Sequence, residues 1–389
     1  MTNVLNLPSA EQMDELNANL FGILRAQTSG GLNPTSWADV QTYVRRGLAS
    51  KIFAIGDQLS CKKGDGVLVW DIIGIDHDTP SDPQFTHSLT LQLHDQYKTA
   101  MQFDAPEAML AVKDTALAAG TYHFTIAATW SKAVAGTYQF TLTKEVPVGG
   151  CIAGPERLAD VEPVNWKVST YSSVSSTTVI ETVAVTSGSS GQSIGTLTPA
   201  GDFANNLNSI HRIGYGSNNY KASAMRQWLN SDAAAGSVWT SQTDYDRPPS
   251  WAANTAGWMN GMDADFLAVI GKTHIVVSRN TVCDGGGSDE MDDTFFLLSR
   301  REVFDGNEVA NVIEGEPYPY YANYSDLSAA GTGADSNRIK YRAGTAQYWW
   351  LRSPYAGNGA YARYIGPTGA VNYYYAYFSY GVAPACCII

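Results

Sequence analysis

At 389 residues, 44% apolar and 16% charged, the chain has material for a substantial packed core and no bias toward disorder. A formal charge of −12 argues against nucleic acid or anionic membrane as the main partner, since both demand a basic face. The five cysteines, Cys61, Cys151, Cys283, Cys386 and Cys387, form neither a disulfide framework nor a metal-ligand spacing. The opening residues lack a basic stretch followed by an apolar run, so no signal peptide is expected. No segment approaches the roughly 20 apolar residues of a membrane span, which excludes membrane insertion by a helix.

Residues 1–52 read as a helical segment that docks on the rest of the chain or forms a homo-oligomer seam. Ser9 with Gln12 makes a capping-box pattern ahead of Met13, Leu16, Leu20, Ile23 and Leu24 on one face. After a break at Gly30-Gly31 and Pro34, Ser36 with Asp39 repeats the signal. Val40, Tyr43, Val44 and Leu48 line that second stripe, and Gly47 lies near its end.

From Gly66 the pattern turns to strand. Val67 to Ile75 is a nearly continuous apolar run, and Ser88 to Leu93 alternates, with Leu89, Leu91 and Leu93 on one side. Gly120-Thr121-Tyr122-His123-Phe124-Thr125 recurs sixteen residues later as Gly136-Thr137-Tyr138-Gln139-Phe140-Thr141. That spacing suits neighbouring antiparallel strands and is too short for a solenoid. With the Ser/Thr/Val-rich stretch from Ser169 to Ser193, it marks a β-rich insertion at about 115–200. Ser223 to Asn230 and Asp263 to Ile270 read as short helices, and Phe295 to Ser299 as a core strand. Strands, helices and strands again make the chain α+β, with a main domain over 53–389.

Several clusters hint at chemistry and are set aside. Asp76-His77-Asp78, His87 and His94-Asp95 have metal-binding residue types without a ligand spacing. Asp284 to Asp293 is acidic but lacks the alternating carboxylates of a calcium loop, and reads as a flexible acidic loop. Neighbouring Cys386 and Cys387 point opposite ways on a strand, with no His or acid in the ending to activate a thiol. Ser353 has no nucleophile-elbow pattern. No cofactor, no metal and no catalytic residue is expected.

The carboxyl-terminal stretch from 348 to 389 stands apart. From Ser353 to Ile389 the only charge is Arg363, and nine of the 22 tyrosines fall between Tyr348 and Tyr380. Tyrosine offers large contact area, one hydroxyl and little rotamer entropy, the composition of antibody paratopes. Tyr348-Trp349-Trp350-Leu351-Arg352-Ser353-Pro354, a small-residue loop, and the ending Gly381-Val382-Ala383-Pro384-Ala385-Cys386 resemble the variable proteins of diversity-generating retroelements. Ser223 to Asn230 and Phe295 to Glu302 are similar to scaffold segments that precede that ending.

The resemblance implies a C-type-lectin-like fold with N-terminal helices and a β-rich insertion. It also implies a reverse transcriptase that rewrites the gene's end at template adenines. An Asn codon changed at its first two bases yields Tyr, Phe, Ser, Ala, Asp, Gly or His, never Trp, Lys, Glu or a stop. The positions that fit as variable ligand contacts are Tyr355, Asn358, Ala360, Tyr361, Tyr364, Ala370, Asn372, Tyr373, Tyr374, Tyr375, Tyr377, Phe378 and Tyr380. Trp349, Trp350, Leu351, Arg352, Gly366, Ala376, Gly381 and Pro384 are then fixed scaffold. The implied function is a non-enzymatic receptor on a phage particle or bacterial surface, binding a protein or glycan of a target cell. Calcium-dependent sugar binding is not expected, because Glu316-Pro317-Tyr318 departs from the lectin tripeptides. Two rivals stay open: a formylglycine-generating-oxidase-like enzyme using Cys386, and a tail or decoration protein whose tyrosines form an oligomer interface.

Overall fold

The computed structural model describes residues 9–27, 36–107, 110–111, 115–129, 134–147, 150–153, 164–171, 176–197, 212, 215–240, 242, 246, 248–281, 284–304, 306–321 and 333–389. The Gly30-Gly31 and Pro34 break, the side chains of Ile23, Leu24 and Cys151, and Cys283 lie outside the described residues. Among those described, no helix is long and apolar enough to cross a membrane.

Helix α1 (Ala10–Gln27) opens on the expected reciprocal cap. Ser9 N donates to Gln12 Oε1 at 2.9 Å, and Gln12 N donates to Ser9 Oγ at 3.2 Å. Helix α2 (Trp37–Arg45) starts where Ser36 Oγ accepts from Asp39 N at 3.1 Å. It stops at Gly47, whose φ of +67° suits glycine best. Helix α2 and the single turn α3 (Ala49–Ile52) are docked on the main body. Val40, Val44, Ala49 and Ile52 join the core, and Trp37 packs on Phe266 with ring centroids 4.7 Å apart. Gln41 Nε2 and Arg45 Nε donate to the Ile389 backbone oxygen at 2.7 and 3.2 Å. Helix α1 does otherwise, leaving Met13, Leu16 and Leu20 exposed.

Strands β1 (Gln58–Lys63), β2 (Gly66–Ile75), β3 (Leu89–Leu93) and β4 (Met101–Gln102) follow. Strand β2 is buried over Trp70–Gly74, while Val67 at its start is exposed. Strand β3 is buried at all five residues, not only at its leucines. It is a central strand, and its polar side chains have partners inside: Tyr321 Oη donates to Gln92 Oε1, and Gln92 Nε2 donates to Ala383 O.

The insertion is a separate seven-stranded sheet. Its strands are β5 (Leu110–Ala111), β6 (Gly120–Ile126), β7 (Gly136–Leu142), β8 (Gly150–Ala153), β9 (Val164–Tyr171), β10 (Ser176–Ser187) and β11 (Gln192–Leu197), ordered β11-β6-β7-β10-β9-β8-β5. The two repeats pair antiparallel as β6 and β7, Gly120 opposite Leu142 and Ile126 opposite Gly136. Each repeat uses its tyrosine alike: Tyr122 Oη donates to Ala118 O at 2.8 Å, Tyr138 Oη to Val134 O at 2.9 Å. Cross-strand stacks of Tyr122 on Phe140 and Phe124 on Tyr138 close the pair.

Beyond the insertion come the capped helices α4 (Ala224–Leu229) and α5 (Ala264–Val269), then β12 (Ile270–Gly271), β13 (Thr273–Ser278), β14 (Ser288–Asp293) and α6 (Arg300–Phe304). The acidic loop expectation fails here: Ser288–Asp293 pairs in register with Thr273–Ser278 as a hairpin. Gly285, Gly286 and Gly287, with φ of +70 to +73°, supply the turn. The core strand expected at Phe295–Ser299 is instead an extended run with one bridge, Phe296 to Ala385. It is buried all round, so side chains satisfy its backbone, Tyr220 Oη accepting from Leu297 N and Arg352 Nη1 donating to Leu297 O.

The final strands are β15 (Tyr341–Arg342), β16 (Thr345–Ala346), β17 (Trp349–Pro354), β18 (Tyr361–Ile365), β19 (Val371–Tyr375), β20 (Ser379–Tyr380) and β21 (Ala385–Ile388). The last returns into the first sheet, giving the order β1-β2-β3-β21-β12. The main body is thus α+β, closed by pairing its early strands with its last one. A second sheet, β17-β18-β19, carries the tyrosines.

Candidate functional site

The frame beneath the tyrosines is built on β17, six consecutive buried residues. Trp349 Nε1 donates to Arg338 O and Trp350 Nε1 to Met101 O, both at 3.0 Å, so neither indole is left unsatisfied. Arg352 is fully buried and bidentate to Glu302, with Nη1 to Oε2 at 2.7 Å and Nη2 to Oε1 at 2.6 Å. Burial works against its charge, but Glu302 and then Glu314 outweigh that and hold the guanidinium protonated. Glu314 ties two strands together, its carboxylate accepting from Ser353 Oγ and from Ser278 N. Ser353 is buried, and its Oγ also accepts from Arg300 N at 2.8 Å. Gly381 has no room for a side chain, since a Cβ there would lie 1.7 Å from Gln96 Oε1. Pro384 and Ala376 are buried too, their carbonyls accepting from Leu93 N and from Phe103 N.

Strands β18 and β19 pair with Tyr361 opposite Tyr375 and Arg363 opposite Tyr373, so these four share one face. The three tyrosine rings among them make a continuous run of contacts with two more, stacked except for the tilted Tyr361–Tyr375 pair. Tyr355 lies 4.2 Å from Tyr373, Tyr373 5.2 Å from Tyr361, Tyr361 4.7 Å from Tyr375, and Tyr375 3.7 Å from Tyr215. The Arg363 guanidinium sits 4.9 Å from the Tyr355 ring and 5.3 Å from the Tyr373 ring. It is aimed there by Glu308, which accepts from Arg363 Nε and Nη2 at 2.8 Å each. The loop between β17 and β18 is pinned from below by Asn218, whose Nδ2 donates to the carbonyls of Asn358 and Tyr361 at 2.7 and 2.9 Å.

The other face of the sheet is turned inward. Tyr364, Tyr374, Phe378 and Tyr380 crowd together there, with Tyr380 4.7 Å and Tyr364 6.4 Å from the Trp350 ring. Of the thirteen residues singled out as ligand contacts, Asn372 and Tyr373 are exposed. Tyr355, Asn358, Tyr361, Ala370, Tyr374, Tyr375, Tyr377, Phe378 and Tyr380 are half-buried. Ala360 and Tyr364 do not belong with them, being 0% and 8% exposed. Ala360 lies beneath Ala376, whose N donates to its carbonyl, and Tyr364 falls on the inward side of the β18 alternation. Sequence reasoning missed Tyr215, Asn218, Arg363 and Glu308. All but Arg363 lie outside the C-terminal stretch, and no local motif marks them.

Among the described residues, the group whose geometry could hold a cation is Asp104, Glu107 and Asp246, all buried, with carboxylate oxygens within 4.8 Å of one another. It is distinct from the His/Asp residues that the sequence analysis set aside. Asp78 is consumed internally, accepting from Tyr318 Oη at 2.9 Å and from Thr90 Oγ1. Burial would raise its pKa, but bonds from His77, Thr90 and Tyr318 hold it below the usual carboxylate range. His87 pairs with Asp76 and His94 with Asp71. Glu316 pairs with Arg301 at 2.8 Å. Cys386 and Cys387 are fully buried, and burial pushes both thiols well above their usual range.

Burial pushes Glu107 up to about 8, with Arg212 pulling the other way and Asp246 and Asp284 adding to the rise. Asp104 is raised by burial and by Asp246 and Glu107. A carboxyl raised in the fold keeps its proton where the unfolded chain has lost it. Its stability contribution is whole below the unfolded value of 4.5 and is lost as pH climbs through about 8. Thermal unfolding followed from pH 5 to 9 should therefore show a falling Tm, and Glu107→Gln should flatten that slope by about one proton's worth. An equal slope in the variant would show that Glu107 ionises normally in the fold.

A cleft of about 890 Å³ lies elsewhere, between the β1–β2 hairpin, Leu93–Thr99, Asn254–Gly261 and Tyr341–Ala343. It contains none of the thirteen residues. In the run of tyrosine rings Tyr373 is exposed, Tyr355, Tyr361 and Tyr375 are half-buried and Tyr215 is buried. No curated protein and no solved structure matches the chain. A family model does: residues 192–389, just over half of the chain, match the "Domain of unknown function (DUF6273)", running from β11 through the frame to Ile389, just past β21, and to that family the chain belongs.

Proposed function

We propose that the protein is a non-enzymatic ligand-binding receptor on a C-type-lectin-like scaffold, its C-terminal aromatic surface diversified by adenine-directed rewriting of the gene. The observation that carries this reading is the run of touching rings, Tyr355, Tyr373, Tyr361 and Tyr375, backed by buried Tyr215 and laid over buried Trp349, Trp350 and Arg352. Rigid aromatic rings lose little entropy on binding, and a few such anchors contribute about 2–4 kcal/mol each as hot spots. A frame that bonds through its backbone and its interior leaves the outer side chains free to change. The pairing of β3 with β2 on one side and β21 on the other fits a domain whose ends meet, as a lectin-type scaffold requires. The partner is a protein or glycan on a target cell, and the setting is host attachment by a phage particle or recognition at a bacterial surface.

The test is genomic. Beside this gene there should lie a reverse-transcriptase gene and a near-copy of its final coding stretch, mismatched only at adenines of the copy. Mismatches spread over all four bases, or no copy, would count against the proposal.

A further inference from the structure

We propose that α1 is a self-association helix whose free apolar stripe pairs with the same stripe of a second copy of this chain. This goes beyond the receptor reading and does not rest on it. The stripe is open to solvent: Met13 is 42% exposed, Leu16 60% and Leu20 53%. The helix is nonetheless held to its own chain by the opposite side. Ala18 is fully buried, Asp14 pairs with Arg46, and Glu15 accepts from Lys51 Nζ at 2.9 Å.

The spacing of the stripe says what covers it. Residues 13, 16, 20 and 23 are Met, Leu, Leu and Ile, the alternating three- and four-residue steps of a and d positions in a heptad. A helix built to lie on a flat core needs a wider apolar arc, and α1 already has its own-chain contact elsewhere. In that register the flanking e and g positions are Gln12, Asn17, Asn19, Leu24 and Ala26, none charged. Asp14 and Glu15 are neutralised by Arg46 and Lys51 of the same chain, and Glu11 falls on the Ala18 side. Two chains of charge −12 repel over most of their surfaces, yet along this seam nothing opposes close approach. A membrane surface fits worse, because α1 carries three acidic residues, Glu11, Asp14 and Glu15, against a single basic one, Arg25, whereas lipid headgroups favour a polar face rich in Lys and Arg. Pairing would set two aromatic surfaces on one particle and raise their joint hold on a repeating target.

Sedimentation velocity on the full chain tests this, comparing the native protein with Leu16→Asn/Leu20→Asn. Both positions point away from the Ala18 contact, so the variant keeps its fold, checked by an unchanged near-ultraviolet circular dichroism spectrum. The native chain is expected to reach at least twice its 42.0 kDa mass with rising concentration, and the variant to stay at 42.0 kDa. Asp14→Asn, on the own-chain side, should associate as the native protein does. A native chain that stays monomeric, or association that survives the double substitution, overturns the proposal. So does a monomer that floats with phosphatidylcholine vesicles through the same two leucines.

Discussion

Arg352→Ala should cost roughly 3–5 kcal/mol of folding stability, read as a shift of the urea midpoint at unchanged slope. The loss follows from what is left behind. Glu302 is 2% exposed and would keep a buried carboxylate without its bidentate partner. The carbonyls of Leu297 and Glu314 would each lose a donor as well. Replacing both members, as Arg352→Met with Glu302→Leu, should recover much of the loss, since an uncharged pair leaves no unpaired ion. A single substitution costing under about 1 kcal/mol would place this pair in contact with water and remove it from the frame.

Trp350→Ala should be comparably severe, about 3–5 kcal/mol, while Tyr373→Ser should cost about 1 kcal/mol or less. Trp350 is fully buried, packs 5.7 Å from the Phe103 ring, and holds Met101 O through its indole N–H. Tyr373 is 36% exposed, and its ring meets Tyr355, Tyr361 and the Arg363 guanidinium on its own outer face. Chemical denaturation of the two variants measures the contrast. Were Tyr373 as costly as Trp350, the outer rings would be part of the core and could not vary independently of the fold.

The comparison of Tyr373 with Tyr364 marks where sequence reasoning stops. Both are tyrosines in one aromatic run, and both obey the same codon restriction. One is on the outer face of the small sheet and the other on its inner face. Which is which depends on the register of β18 against β19, and a slip of β19 by one residue would put both on the inner face. Tyrosine fits either side because it is amphipathic, so its identity carries no address. The acidic triad shows the same limit from the other direction, since Asp246 reaches Asp104 and Glu107 only through the folded chain.

The sequence by itself determined the local structure. Ser9, Ser36 and Ser223 each cap the helix they precede. The two Gly-Thr-Tyr repeats pair as neighbours, and the run from Trp349 to Leu351 is buried, because capping, alternation and apolar burial act over a few residues. Only the tertiary structure decided that Arg352 meets Glu302, that Glu308 aims Arg363 at two tyrosine rings, and that Asn218 pins the loop beneath them. It also turned an acidic stretch into a hairpin and left the stripe of α1 uncovered. Those outcomes rest on contacts between residues tens to hundreds of positions apart, and such contacts leave no mark in the spacing of either partner.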